Sequence, residues 1–347
     1  MLPPDIVRHV FSFLPLVDHF NLAICNKLLY ILGGLQSPLV APWSKNVTIS
    51  NTRIKYFERL CAIIRPHTLT IGQDVNYEIS LCDLQNYALR YICNLPLKKL
   101  VLHQCYRITR KGFSYVKGLI NLQHLDVKNS SACNISLQYL QQLKYVRYLD
   151  LEGTKVTDAG LFFLQGFPLT YLSLNNCRID GSGLVHITHK LEHLCIRRCK
   201  LDDSILPILH TFKCLQHINL SSNSDITTLW FLAGMDVSCL YLSELAITNS
   251  ELKHTHDLPL THLDISWCEN ITNKGVQYIG DLSLERLSLR GCTYLTDMCL
   301  PAIGKIQSLS KLDIGMCNNF TPKGITKYIR RDVELDHTWC KQFEDSD

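Results

Sequence analysis

The stretch Leu97–Cys105 reads Leu-Lys-Lys-Leu-Val-Leu-His-Gln-Cys, and its pattern Leu-x-x-Leu-x-Leu-x-x-Cys/Asn recurs along most of the chain. Ten copies can be aligned, the last at Leu309–Cys317, and their second apolar anchors stand 18 to 27 residues apart. Self-similarity at this period predicts a solenoid, whose function lies on a surface rather than in a pocket. The anchors are Leu100, Leu125, Leu149, Leu172, Leu194, Ile218, Leu245, Leu263, Leu287 and Leu312.

Each copy of the pattern predicts a short strand, a turn and a helix. The fourth and sixth positions point to one side of the strand, and the third, fifth and seventh to the other. The apolar side must stack on the next copy, because a single repeat cannot bury it. At the ninth position a small polar or thiol side chain can pair with backbone groups that leave the ladder. Helix-start signals such as Thr157-Asp158 and Thr272-Asn273 follow. The expected fold is an α/β solenoid with parallel strands inside a horseshoe and helices outside.

The strands before and after these copies are less regular. His67-Thr68-Leu69-Thr70-Ile71 is a degenerate version of the strand, and Val333-Glu334-Leu335-Asp336 predicts a last one. Trp339 is then expected to cover the final repeat, followed by a short acidic tail.

The third, fifth and seventh positions predict the exposed concave face. In the copy anchored at Leu245 these positions are Glu244, Ala246 and Thr248. Tyr, Trp and Arg are frequent binding anchors, so exposed aromatic and basic residues on this face favour recognition of a partner. The alternative is that its His and Asp residues simply solvate the sheet. The candidates are Tyr148, Tyr171, His193, Arg197, His217, Trp267, Arg286 and Arg290.

Composition excludes several classes of function. Lys and Arg number 35 against 31 Asp and Glu, a net charge of +4 without the charge block of a nucleic-acid-binding arm. No run of eighteen apolar residues predicts a membrane span, and Asp5, Arg8 and His9 interrupt any signal-peptide core. We expect neither a nucleic-acid nor a membrane partner.

The sixteen cysteines occur singly, many at the ninth position, and none forms Cys-x-x-Cys. We interpret them as buried, reduced thiols, which predicts a cytoplasmic or nuclear protein. No phosphate-binding, metalloprotease or nucleophile-elbow motif is present. The pairs His186/His189 and His254/His256 have no carboxylate or thiol at a ligand spacing. A non-catalytic protein without metal or cofactor is therefore expected.

The first fifty residues form a different module. Residues 4–14 predict a helix with one apolar stripe, and Asp18 begins a second, largely apolar helix through Leu32. Gly33-Gly34 ends that helix. So small and apolar a module needs the solenoid or a partner protein to cover it.

Leu2-Pro3, Val10-Phe11, Leu14-Pro15-Leu16-Val17-Asp18, Leu22, Ile24-Cys25-Asn26-Lys27 and Trp43 stand in the order of an F-box. The whole chain resembles an F-box/leucine-rich-repeat protein with repeats of the cysteine-containing subtype. The resemblance implies an F-box over 1–48, a connecting or capping helix over 49–66, repeats over 67–335 and a C-terminal cap and tail over 336–347.

The resemblance also implies a function. In this family the F-box binds the Skp adaptor, and through it a cullin–RING core, while the repeats hold a protein substrate for ubiquitination. Two alternatives remain: a leucine-rich-repeat scaffold or inhibitor that acts without a ligase, and a Skp-binding regulator without a substrate. The residues implied to contact the Skp adaptor are Leu2, Pro3, Ile6, Val10, Phe11, Leu14, Pro15 and Leu22.

Overall fold

The computed structural model describes residues 46–50, 68–72, 86, 89, 90, 93 and 97–340. The two F-box helices predicted from the sequence lie outside these residues. So does the capping helix predicted over 49–66, except that residues 49 and 50 belong to a strand.

The described chain alternates short strands with short helices, as the repeat pattern predicts. The strands are β1 Asn46–Ser50, β2 Thr68–Gly72, β3 Lys99–Leu102, β4 His124–Asp126, β5 Tyr148–Asp150, β6 Tyr171–Ser173, β7 His193–Cys195, β8 His217–Asn219, β9 Cys239–Tyr241, β10 His262–Asp264, β11 Arg286–Ser288, β12 Lys311–Asp313 and β13 Glu334–Asp336. The α-helices are α1 Arg110–Val116, α2 Asn134–Leu140, α3 Asp158–Leu161, α4 Leu206–Leu209, α5 Asn273–Val276, α6 Leu300–Ile303 and α7 Pro322–Tyr328. The 3₁₀ helices are Phe162–Leu164, Ser182–His186, Asp203–Ile205, Trp230–Leu232, Asn249–Thr255, Gln277–Ile279 and Asp297–Cys299.

The chain divides into two compact units. Residues up to Lys155, with Gly166–Pro168, form the first, and Val156–Gln165 with the residues from Leu169 onward form the second. In the first unit, β1 to β5 pair in parallel, each with the next along the chain. In the second, β6 to β13 do the same. From β3 onward, helical crossovers join the consecutive parallel strands, which confirms the predicted α/β leucine-rich-repeat solenoid.

The core lies on the side of the strands that the apolar positions predict. The fourth- and sixth-position residues Leu172 and Leu174, of β6 and its turn, are fully buried. Their equivalents at β11, Leu287 and Leu289, are at most 1% exposed. The strands predicted near residues 67–71 and 333–336 are present as β2 and β13. Strand β1 has no counterpart among the sequence predictions.

One repeat has a different register from the predicted one. Strand β9 pairs Leu240, not Leu245, with Ile218 and Leu263. Both Val237-x-x-Leu240-x-Leu242 and Leu242-x-x-Leu245-x-Ile247 fit the pattern. In the observed register Leu245 is a buried ninth-position residue, where other repeats have Cys, Asn, Ser or Thr. Because leucine is not typical of that position, the pattern favoured the wrong alignment.

The placement of Glu244, Ala246 and Thr248 on the open strand face was therefore wrong. The residues at the third, fifth and seventh positions of this repeat are Cys239, Tyr241 and Ser243.

A left-handed residue follows every strand of the repeats from β3 onward. It is the eighth position, and in most repeats its N–H donates to the seventh-position carbonyl of the next repeat, as from Glu244 to Ser266 at 2.8 Å and from Trp267 to Arg290 at 2.7 Å. The left-handed backbone conformation costs a non-glycine residue about 1–2 kcal/mol. The turn requires this conformation, and the hydrogen bonds between repeats help to offset its cost. The residues are Gln104, Asn129, Gly153, Asn176, Arg198, Ser222, Glu244, Trp267, Gly291, Met316 and Trp339.

Ninth-position side chains join neighbouring repeats through the core. The Cys268 thiol donates to the Leu242 carbonyl and the Cys292 thiol to the Ile265 carbonyl, each at 3.2 Å. In every such pair the acceptor is the sixth-position carbonyl of the preceding repeat. Cys199, Cys317 and Cys340 make the same contact, at 3.3, 3.1 and 3.1 Å. Cys340 thus joins the last turn to the preceding repeat, whereas Trp339 is 71% exposed and does not cover it as predicted.

Reaction with a thiol reagent should distinguish these cysteines from the surface ones. Cys105, Cys177, Cys199, Cys268, Cys292 and Cys317 are all buried, whereas Cys214 is exposed. Burial raises the pKa of Cys199, Cys268 and Cys317 to about 12. Because the thiolate is the reactive form, we expect the six to react at least about a hundredfold more slowly than Cys214 in the native protein at pH 7.5. Peptide mapping after timed iodoacetamide treatment measures the rates, and labelling of most of the six before unfolding would contradict the burial.

Candidate functional site

The candidate site is the open strand face, formed by the third-, fifth- and seventh-position side chains. In most repeats the third-position side chain is half-buried between its neighbours on adjacent strands. Each unit presents its own part of this face, and each is described separately.

Aspartates at the fifth position have a structural role. Asp150 accepts a hydrogen bond from the Glu152 backbone N–H at 2.9 Å, and Asp313 accepts one from Gly315 at 2.9 Å. These local bonds end the strand and start the turn. The same pattern holds for Asp126, Asn219, Asp264 and Asp336. These contacts fit the alternative that the aspartates of this face serve the repeat itself rather than a partner, and Asn219 does the same with its amide oxygen.

Arg290, one of the predicted binding residues, is held within the protein. Its guanidinium donates to Asp313 at 3.1 Å, to Asp336 at 3.0 Å and to Thr338 at 2.7 Å. The open space above Gly315 admits this side chain, since a Cβ there would lie 2.6 Å from the guanidinium carbon. With two carboxylates beside it, Arg290 joins three repeats, and its charge is already matched.

In the first unit, Tyr148 stacks on His124 of the neighbouring strand. The ring centroids are 3.8 Å apart and the planes differ by 9°. Burial, followed by the positive charge of Lys99, lowers the pKa of His124 to about 4, although Asp126 acts in the opposite direction. The imidazole is therefore uncharged at neutral pH, and the pair forms an aromatic patch.

In the second unit, three rings follow one another across strands β6, β7 and β8. Tyr171 and His193 have centroids 5.9 Å apart, and His193 stacks on His217 at 4.2 Å. Burial, then the nearby His193 and His262, lowers the pKa of His217. Its Nδ1 atom is buried and has no hydrogen-bond partner among the described residues. Three predicted residues thus form one continuous ring column.

Tyr241 extends this face, and the predicted register missed it. It lies in β9 between Asn219 and Asp264 in the strand register. Burial raises its pKa, with Arg286 acting in the opposite direction. The anchor spacing could have revealed it, since an anchor at Leu240 replaces the uneven steps around Leu245 with regular ones.

The remaining predicted residues lie at the edges of the face. Arg286 is exposed at the start of β11, and Arg197 is exposed at the seventh position after β7, with Nε 3.5 Å from the Ser222 hydroxyl. Neither arginine forms an ion pair with a described residue. Trp267 lies in a turn, beside the face rather than on it. The second unit therefore combines a ring column with two unpaired guanidinium groups.

Within the described residues, no three His, Cys, Asp or Glu side chains come together in a way that could hold a metal ion. In the same part of the chain, every helix falls short of the length and apolar character that a bilayer crossing demands.

Comparison with protein families finds two kinds of domain. The F-box domain model matches residues 1–33, and the leucine-rich-repeat model matches 142–164, 167–187 and 256–280. An F-box followed by leucine-rich repeats is the arrangement of an F-box/leucine-rich-repeat protein.

Individual proteins resemble parts of the chain or its fold. Receptor like protein 23 of Arabidopsis thaliana is 30% identical over 112 residues, which is 31% of this chain and only 13% of that protein. An internalin from Listeria monocytogenes has a TM-score of 0.60 at 18% identity, covering 90% of this chain and 94% of its own. The yeast Rad7 and Elc1 complex contains a chain with a TM-score of 0.51 at 16% identity, covering 72% of this chain and 77% of its own. The two structural likenesses concern the fold alone.

The two matched domains have a general functional meaning. An F-box followed by leucine-rich repeats supports the role of a substrate adaptor in an SCF-like complex, with an Skp-type partner. Proteins of this arrangement are generally non-catalytic adaptors or binding scaffolds.

Proposed function

We propose that this protein is the substrate-recognition subunit of an SCF (Skp–cullin–F-box) E3 ubiquitin ligase. The observation that carries the proposal is the F-box match at residues 1–33, ahead of repeats whose strands leave one face open. The F-box docks on the Skp adaptor through its apolar stripe, and the cullin–RING core joins through that adaptor. Such a subunit contributes proximity and needs no nucleophile of its own.

The part of the open face that best supports substrate binding is in the second unit. Tyr171, His193, His217 and Tyr241 provide rings there, of which His217 is neutral because of its burial. The unpaired Arg197 and Arg286 flank them, whereas Arg290 is neutralised by Asp313 and Asp336. A target segment with aromatic or apolar groups beside a carboxylate or phosphate complements this chemistry, because guanidinium groups bind such anions with two parallel hydrogen bonds. Tyr148 and His124 provide a smaller aromatic patch in the first unit.

Reconstitution tests the proposed role directly. The full-length protein is expressed with an affinity tag in cells, purified, and probed for the Skp adaptor and a cullin. The complex is then supplied with ubiquitin, activating enzyme, conjugating enzyme and ATP. We expect both partners to co-purify and a bound protein to acquire ubiquitin. A solenoid scaffold would recover neither partner, and a Skp-binding regulator would recover the adaptor without ubiquitination of a bound protein.

Changing the open face should release the target without affecting the ligase core. We expect Tyr171→Ala, Arg197→Ala and Arg286→Ala together to weaken target binding by about thirtyfold or more, the effect of losing one hot spot of about 2 kcal/mol. Quantitative mass spectrometry of proteins recovered with the wild-type and triple-variant chains measures the loss. Lys305→Ala, an exposed change after helix α6, is the matched control and should have no effect. If the triple variant recovers every ubiquitinated protein as well as the wild-type chain does, the target site lies off this face. Recovery of the Skp adaptor should be the same for the wild-type chain, the triple variant and the control variant.

A further inference from the structure

A groove lies beside the open face, in the turns that follow strands β8, β9 and β10 of the second unit. Its volume is about 560 Å³, and it is open to solvent on one side. Three successive repeats contribute to it, so that a chain segment can run across it. The side chains that give it chemical character are those of Trp267, Glu244 and Glu269. Ser224, Leu245, Ala246 and Asn270 complete the lining.

The wall of the groove is the indole of Trp267, which is 41% exposed. The eighth position of the next repeat is Gly291, and a Cβ there would lie 2.4 Å from the indole ring. The ring therefore rests directly against the Gly291 backbone. Met316 and Ser222 stand at the same position in other repeats, where a side chain would take up this space. The glycine thus permits a supported and partly exposed aromatic wall.

The carboxylates of the groove are not neutralised by any residue that the structure describes. Glu244 and Glu269 are exposed, and neither forms an ion pair or hydrogen bond through its carboxylate with a described residue. Glu334 of the same unit, in contrast, has Lys311 as a cationic partner at 2.6 Å. In a chain with a net charge of +4, two unpaired carboxylates beside one indole form a local anionic site.

We propose that this groove binds the positively charged side chain of an arginine or lysine in a polypeptide partner. A cation over the indole face is attracted by the ring's quadrupole, and carboxylates beside the ring neutralise its charge. The open side and the span of three turns suit a side chain presented by an extended segment. This site lies in the turns, and its chemistry is opposite to that of Arg197 and Arg286 on the open face. The inference does not require the ligase role.

Fluorine NMR of the full-length protein labelled with 5-fluorotryptophan tests the proposal. The chain has four tryptophans, and the Trp267 signal is assigned by its loss in Trp267→Phe. The probes are acetyl-Gly-Arg-Gly-amide and acetyl-Gly-Lys-Gly-amide, with citrulline and acetyl-lysine peptides as neutral counterparts of the same shape. We expect at least one cationic peptide to shift the Trp267 signal saturably, and the neutral peptides to leave it unchanged. Added salt should weaken the effect, because the carboxylates are exposed.

Two comparisons make the result specific to the groove. Glu244→Gln with Glu269→Gln should weaken cationic-peptide binding by about fivefold or more, whereas Glu285→Gln, an exposed glutamate outside the groove, should not. Trp339 is the internal control, because it occupies the same turn position as Trp267. The equivalent residue of the preceding repeat is Met316 for Trp339, whereas it is Glu244 for Trp267. Any of three results would overturn the proposal: shifts of equal size with the neutral peptides, unchanged binding in the double glutamine variant, or an equal response of the Trp339 signal. Unchanged signals from the other tryptophans confirm that the variants remain folded.

Discussion

Replacing Phe11 and Leu14 together by alanine should abolish co-purification of the Skp adaptor. Both residues lie in the apolar stripe of the first F-box helix predicted from the sequence, within the segment that the F-box model matches. Large apolar anchors at an interface are worth about 2 kcal/mol or more each, so losing two weakens binding by about a thousandfold. Affinity purification from cells followed by immunoblotting for the adaptor measures the loss.

Two controls separate a lost interface from a lost fold. Arg8→Ala changes the polar side of the same predicted helix and should leave the adaptor bound. Circular dichroism of the double variant should match that of the wild-type protein, because the repeats do not include these residues. Adaptor recovery at the wild-type level would show that residues 1–33 do not bind it in the way the F-box assignment implies.

Replacing Asn223 by leucine should destabilise the second unit more than any change on the open face. Asn223 is 2% exposed, and its amide donates to the Ile196 carbonyl at 2.9 Å and to the Leu220 carbonyl at 2.7 Å. Its side-chain oxygen accepts from the Cys199 backbone N–H at 3.0 Å. Leucine is similar in size and cannot pair with any of these groups. Leaving three buried polar groups unpaired costs about 1–3 kcal/mol each, so we expect a loss of about 3 kcal/mol or more.

Cysteine at the same position provides the matched comparison. In several other repeats a ninth-position thiol donates to the same sixth-position carbonyl, as Cys268 does to Leu242 at 3.2 Å. Asn223→Cys should therefore retain one of the inter-repeat bonds and lose only about half as much stability as Asn223→Leu. Urea unfolding followed by circular dichroism measures the difference. Equal loss in the two variants would mean that volume, and not hydrogen bonding, determines the residue at this turn.

The sequence pattern predicts this fold well because each repeat obeys the same local constraint. The turn after each strand needs a left-handed eighth residue and a small polar or thiol ninth residue, and the chain provides both at nearly every copy. The pattern failed at Leu240 because leucines occur at positions that satisfy two overlapping versions of it, and Leu245 is not a typical ninth residue. Spacing alone could have resolved the ambiguity, since a solenoid requires neighbouring strands to align.

The binding residues were predicted less completely than the fold. The ring column of Tyr171, His193 and His217 follows from the strand register, and the structure brings its members together. The two arginines that are free for a partner could not be distinguished from Arg290 in the sequence. Their difference depends on Asp313 and Asp336, which belong to later repeats.

The class of repeat, the buried face, the thiol-rich turns and the presence of a separate N-terminal module all follow from the amino-acid pattern. These properties depend on the alternation of side chains along a strand and on the repeat period, both of which are local. The pattern does not predict which surface charges remain unpaired or where Trp267 lies; both depend on how the repeats pack. Those outcomes depend on contacts between residues one or two repeats apart, such as the indole on Gly291 and Arg290 on Asp336. The positions of these residues are set by the stacking of neighbouring repeats rather than by the pattern within one.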